Sequence, residues 1–470
     1  MLNYFPKYFS NRAMLIYFAG LVCCLLIFFR YSMNWFFYIT GIVAVVGFFY
    51  FSNFLTIKWK HISKKIFTKN LLTTALILRL VWMVFSYFYY MSQTGTPFDW
   101  GGGDALGYDS SAIDVANHIK TGDFNIFKVY LDIMGPSDTG YISYLGVMYW
   151  ITGNSIFVTR LLKVIYSVIT CFLIYNLAKR NFGENTGRIA GIMAMLMPHF
   201  IYYCGSHLKE TEMLFLTVAF VERADYILRN RKFNFINIAV PIALAISLFF
   251  FRTVLGATAL MAFFTAVVFS SKKMVGWGKR FLVGIWIVVA VGYFMGGKIA
   301  TELEQVWENR EGHSEAGMEF RATRAGGNAF AKYAGTAVFA PIIFTIPFPS
   351  MIDIEHQPVQ QMLNGTNFVK NITSFFTIMG IFLLFYRKKW REHILILVFL
   401  IGYLAIIANS GFAQSERFHF PSVPFALVIA SYGISQMNNN KKKYFNLHLF
   451  IIFAAIIVWN WYKLAGRGMI

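Results

Sequence analysis

Residues 71–91 read LLTTALILRLVWMVFSYFYYM, with Arg79 as the only charge. At about 1.5 Å of rise per residue such a run spans roughly 30 Å as a helix, the thickness of a bilayer's hydrocarbon core. It is therefore read as a membrane-crossing helix. Lys64, Lys65 and Lys69 precede it, and a long polar stretch follows from Ser92. The same alternation of apolar run and polar break recurs along the chain. Spans are expected at 14–29, 35–56, 71–91, 155–178, 187–204, 211–228, 234–251, 253–271, 281–299, 368–386, 394–409, 420–436 and 445–463. The fold class is an all-α polytopic membrane protein with about 13 transmembrane helices.

Composition agrees. Of 470 residues, 57% are hydrophobic, 19% aromatic and only 14% charged, against roughly 25% charged in a soluble domain. A soluble enzyme, a disordered chain and a disulfide-stapled secreted domain are excluded. Cys23, Cys24, Cys171 and Cys204 lie in or beside apolar runs and show no zinc or redox spacing. The first apolar run leads through Arg30 into a second run, without a small-residue cleavage site, so no cleavable signal peptide is expected.

The formal charge of +20 would suit nucleic acid if it formed a patch. Instead the basic residues fall in every second loop: Lys58 to Lys69, Lys179 to Arg188, Arg229 to Lys232, Lys272 to Arg280, Arg387 to Arg391 and Lys441 to Lys443. With Lys7 and Arg12 they mark one membrane side, the cytoplasmic one by the positive-inside rule. No nucleic-acid role is expected. Most of the 22 acidic residues fall in the opposite loops, chiefly 92–154 and 300–367. A transporter would more often carry ionisable groups at mid-membrane. Acidic loops on one face favour a site there.

Four regions follow: an N-terminal hairpin with its basic loop (1–70), a core including the loop 92–154 (71–300), a second outer loop (301–367) and C-terminal helices (368–470). Residues 336–349 are apolar but hold Pro341, Pro347 and Pro349. They are expected to form a re-entrant or short surface helix whose broken backbone protein must cover.

The first loop contains Gly101-Gly102-Gly103-Asp104-Ala105-Leu106-Gly107-Tyr108-Asp109. From Tyr108 to about Ile119 the periodicity is helical, with Ile113, Ala116 and Ile119 on the apolar face, and Gly122 stops it. A surface helix entered through a glycine turn would hold Asp104 just above the bilayer. There a carboxylate can act as general base toward a sugar hydroxyl. Alternatively, Asp104 or Asp109 caps the helix.

Asp104 and Tyr108, followed by Ala112, Ala116 and Gly122, resemble the first-loop motif of the GT-C glycosyltransferases, which include protein O-mannosyltransferases and lipid A aminoarabinose transferases. Ala105 departs from that motif, which has Glu there, and so do the two extra helices before the loop. The likeness continues through Gly153-Asn154-Ser155 and Arg160, Phe182-Gly183, Pro198, and Arg417-Phe418-His419 with Pro421 and Pro424. It covers about residues 75–435.

Three cations lie near helix ends on the acidic side: Lys209, Arg252 and Arg417. Ammonium and guanidinium donors suit a phosphate leaving group; interface anchoring is the other reading. His419, two residues after Arg417, joins them as a candidate substrate contact, as does Tyr108.

In Ser206-His207-Leu208-Lys209-Glu210, His207 and Glu210 are three apart and would share a helical face, where a divalent metal could bind. Snorkelling by Lys209 and capping by Glu210 is the alternative. Arg321 and Arg324 in the second loop could face an acceptor. Asn364-Gly-Thr and Asn371-Ile-Thr match a glycosylation pattern that is frequent by chance.

The resemblance implies a glycosyltransferase of the bacterial cytoplasmic membrane with its site facing outward. It implies a polyprenyl-phosphate sugar donor, a glycan, lipid or protein acceptor, and inverting displacement without a required cofactor. Asp104 would be the base, Asp109 the second candidate. Two other readings compete: an O-antigen-type polymerase or ligase, and a transporter or flippase of lipid-linked sugars. The last would depend on Arg79 or Arg160.

Overall fold

The computed structural model describes residues 2–100, 102–230, 235–270, 337–354, 357–410 and 412–469. The expected span 281–299 and most of the loop 301–367, with Arg321 and Arg324, lie outside them. Among the described residues the chain is helical, without strands. The N-terminal elements are α1 (Lys7–Ile27), α2 (Trp35–Lys58), α3 (Lys64–Thr94), α4 (Gly103–Lys120), α5 (Ile126–Met134) and α6 (Pro136–Thr152). They are followed by α7 (Ile156–Phe182), α8 (Glu184–Leu196), α9 (Pro198–Cys204), α10 (Glu210–Asn230), α11 (Phe235–Phe251) and α12 (Thr253–Phe269). The longer helices among the described residues that follow are Asn364–Tyr386, Ile394–Ala408, Val423–Ser435 and Lys442–Ala465.

Seven helices are long and apolar enough to cross a membrane, among the described residues, and α11, α12 and Ile394–Ala408 are shorter apolar helices. This is a multi-pass helical membrane protein. The expected span 187–204 is two helices, α8 and α9, because Pro198 lacks an N–H and Met197 is extended. The carbonyls left open there are taken by Arg79. Its Nη1 donates to Met195 O at 3.1 Å, its Nη2 to Ala194 O at 3.4 Å, and its Nε to Ser167 Oγ at 2.7 Å. Arg79 is thus a buried backbone clamp.

Close helix approach supplies much of the packing, as expected where lipid removes the hydrophobic drive. A Cβ on Gly433 would overlap Phe376 O, and one on Gly380 would lie 2.5 Å from Ile429 O. Helices Asn364–Tyr386 and Val423–Ser435 therefore touch through backbone. Asn364 and Asn371, both in glycosylation patterns, are fully buried in the first of these helices.

Among the described residues, the basic loops around Arg188, Arg229 and Arg387 meet at one end of the bundle. Arg188 donates to Trp59 O at 2.9 Å, Arg229 to Asn181 Oδ1 at 2.5 Å, and Arg387 to Gln436 Oε1 at 2.9 Å. The chain from Ala337 forms one short 3-10 helix and then an irregular buried run. Its carbonyls are covered by side chains: Asn371 donates to Pro347 O at 3.0 Å and Asn460 to Pro349 O at 3.1 Å. This is how irregular backbone is accommodated inside a membrane bundle.

Candidate functional site

Three loops converge at the acidic end. The first turns at Gly102, whose φ of +32° is a left-handed value that disfavours any side chain. Helix α4 starts at the next residue and carries Asp104 in its first turn. Neither Asp104 nor Asp109 caps it: the N-cap is Gly102, without a side-chain bond. The helix is longer than the expected 108–119. It buries Ala105, Ala112, Val115, Ala116 and Ile119, and Ile113 stays half-buried at the edge. Its partner is α6, which the apolar pattern does not announce. A Cβ on Gly146 of α6 would lie 2.6 Å from Val115 Cβ.

The second loop, 205–209, is held from below. Lys163 donates to Leu208 O and lies 3.1 Å from Glu212. Arg160 donates to Pro97 O. Both buried cations tether loops. The third loop brings Glu416 and Arg417.

Arg417 joins the three. Its Nε donates to Glu210 Oε1 at 2.9 Å and its Nη1 to Asp104 Oδ2 at 2.6 Å. Glu210 is fully buried, whereas the Asp104 side chain is 59% exposed. The outer pair is worth about 0–1 kcal/mol; removing one partner of the inner pair would cost roughly 3–5 kcal/mol. Nearby, Lys209 bonds to Asp138 and to Ser137 O, and Tyr108 OH donates to Asp138 Oδ1 at 2.7 Å. Burial opposes ionisation of Asp138, but the Lys209 ammonium, the Tyr108 hydroxyl bond and the Arg252 charge together outweigh it and hold this carboxyl below its ordinary range. The Arg252 guanidinium lies 4.5 Å over the Phe418 ring, and its charge acts on Asp138, Lys209 and Glu210. The three expected cations therefore act on one cluster of carboxylates.

Asp109 turns inward. Tyr149 OH donates to it, and His207 Nε2 is 3.7 Å away. Burial pushes Asp109 up and keeps His207 neutral, with Lys163 and Arg160 adding to the latter. His207 and Glu210 thus serve different partners, and the shared metal face is not formed. Among the described residues no group of three His, Cys, Asp or Glu converges on one point. His419 also departs from expectation. It is 1% exposed and its Nε2 lies 2.8 Å from Ala413 O, because residues two apart on a helix point different ways.

A cavity of about 370 Å³ opens beside Asp104. Asp99, Trp100, Tyr202, Tyr203, Gln357, Gln360, Glu416 and Arg417 help to line it. Asp99 and Glu416 gain a place here that no motif assigns them, and burial pushes Asp99 up. Tyr203 OH and Gln357 Oε1 are buried without a hydrogen-bond partner among the described residues, so they can receive a polar ligand. Aromatic faces, amides and carboxylates around one cation suit a polyhydroxylated ligand with an anionic group.

Comparison with protein-family models, characterised proteins and solved structures finds no match to this chain.

Proposed function

We propose that this chain is a GT-C-like membrane glycosyltransferase, with about thirteen crossings in a bacterial cytoplasmic membrane and the acidic end facing outward. It takes a sugar from a polyprenyl-phosphate donor and passes it to a glycan, lipid or protein acceptor. The observation that carries the reading is the exposed Asp104 carboxylate, fixed by Arg417 at the mouth of a cavity with unpartnered polar groups. Asp104 takes the proton of the acceptor hydroxyl. The acceptor oxygen bonds to the anomeric carbon as its bond to the phosphate oxygen breaks, with inversion. Arg417 stabilises the charge on the departing polyprenyl phosphate, with Arg252 and Lys209 contributing to the field.

The bonding of Arg79 to backbone carbonyls speaks against a transport role for that residue. The test is sugar transfer by purified protein from a panel of polyprenyl-phosphate sugars. Transfer that requires Asp104 supports the reading. Translocation of a lipid-linked sugar without any transfer would overturn it.

A further inference from the structure

We infer that Asp104 is an internal competitor for the anion subsite on Arg417, so that the donor must bind first and its phosphate frees the base. This rests on the glycosyltransferase reading above. Of the three cations, only Arg417 lines the cavity. Lys209 is 5% exposed and committed to Asp138 and Ser137 O. Arg417 is anchored through Nε by the buried Glu210, while its Nη1 faces an exposed carboxylate. The inner bond fixes the guanidinium plane; the outer one is exchangeable. A phosphate brings more charge and more acceptor oxygens than a carboxylate and can displace it. Asp104 then keeps its place in the first turn of α4 with its carboxylate free to meet the acceptor hydroxyl. Glu210 is the positioning residue of this arrangement.

The experiment measures binding of a polyprenyl monophosphate to full-length protein in detergent, with the corresponding polyprenol as blank. Parent, Asp104→Asn, Arg417→Gln and Glu210→Gln are compared, each checked for folding by its thermal transition. Removal of the competing charge in Asp104→Asn is expected to tighten binding about fivefold, and Arg417→Gln to abolish it. Glu210→Gln should weaken it severalfold; a lower thermal midpoint with unchanged affinity would make Glu210 structural only and remove its positioning role. Unchanged or weaker binding by Asp104→Asn, with the parent binding, overturns the competitor and leaves the glycosyltransferase reading intact. Phosphate-dependent binding unaffected by Arg417→Gln also overturns it. Should Arg417→Gln not fold, Asp104→Asn, altered at an exposed position, decides alone. No binding by any folded form removes the reading and the inference together.

Discussion

Arg417 reaches Asp104 across 313 residues of sequence, with Nη1 2.6 Å from Oδ2, while its Nε holds Glu210 at 2.9 Å. One side chain thus joins the start of α4, the start of α10 and the segment between helices Ile394–Ala408 and Val423–Ser435.

Asp104→Asn keeps the shape but not the base. Transfer is expected to fall about 10²–10⁴-fold although the donor binds more tightly than to the parent. Asp109→Asn, whose partner is Tyr149, should act mainly on stability. Equal loss of transfer in both variants at equal stability would contradict this division, and single-turnover assays beside melting curves decide it.

Gly146→Ala places a Cβ 2.6 Å from Val115 Cβ. Overpacking of this kind costs about 1–3 kcal/mol. The expected result is a lower thermal midpoint and weaker transfer, since α4 carries Asp104. A midpoint equal to the parent's would mean that α4 does not rest on α6 in this way.

Arg79→Met leaves Met195 O without its guanidinium donor and Ala194 O with only the Met197 N–H. The loss should be about 1–3 kcal/mol, read as a lower midpoint in detergent. A fully stable variant would disprove the clamp.

Against the opposing effect of burial, Lys209, with Tyr108 and Arg252, holds Asp138 below the ordinary carboxylate range. A group depressed in the folded state contributes stability that is present above its unfolded pKa, about 3.9. That contribution is lost as pH falls through the lower folded value. The Lys209–Asp138 pair should therefore stay intact from neutral pH down to about pH 4. Asp138→Asn should flatten the acid limb of a stability–pH curve; an unchanged limb would show that the pair makes no such contribution.

Much of the fold is legible along the chain. Apolar runs near bilayer length mark helices because a backbone in lipid must bond to itself. The alternating basic loops predict a common end, and Arg188, Arg229 and Arg387 meet the neighbouring loops there. The glycine turn before Asp104 signals a helix start. Helix α6 escapes such a reading because Gly140, Gly146 and scattered aromatics and hydroxyls break its apolar period.

Local pattern is enough to establish a helical membrane protein, the loops that hold its acidic residues, and Asp104 at the opening of a helix. All three follow from the period and length of apolar runs and the breaks between them. Folding alone brings Arg417 to Asp104 and Glu210, turns His207 toward Asp109 rather than toward a metal shared with Glu210, and points His419 away from the site. Side-chain direction and long-range pairing depend on where helices cross, and no spacing along one chain encodes that directly.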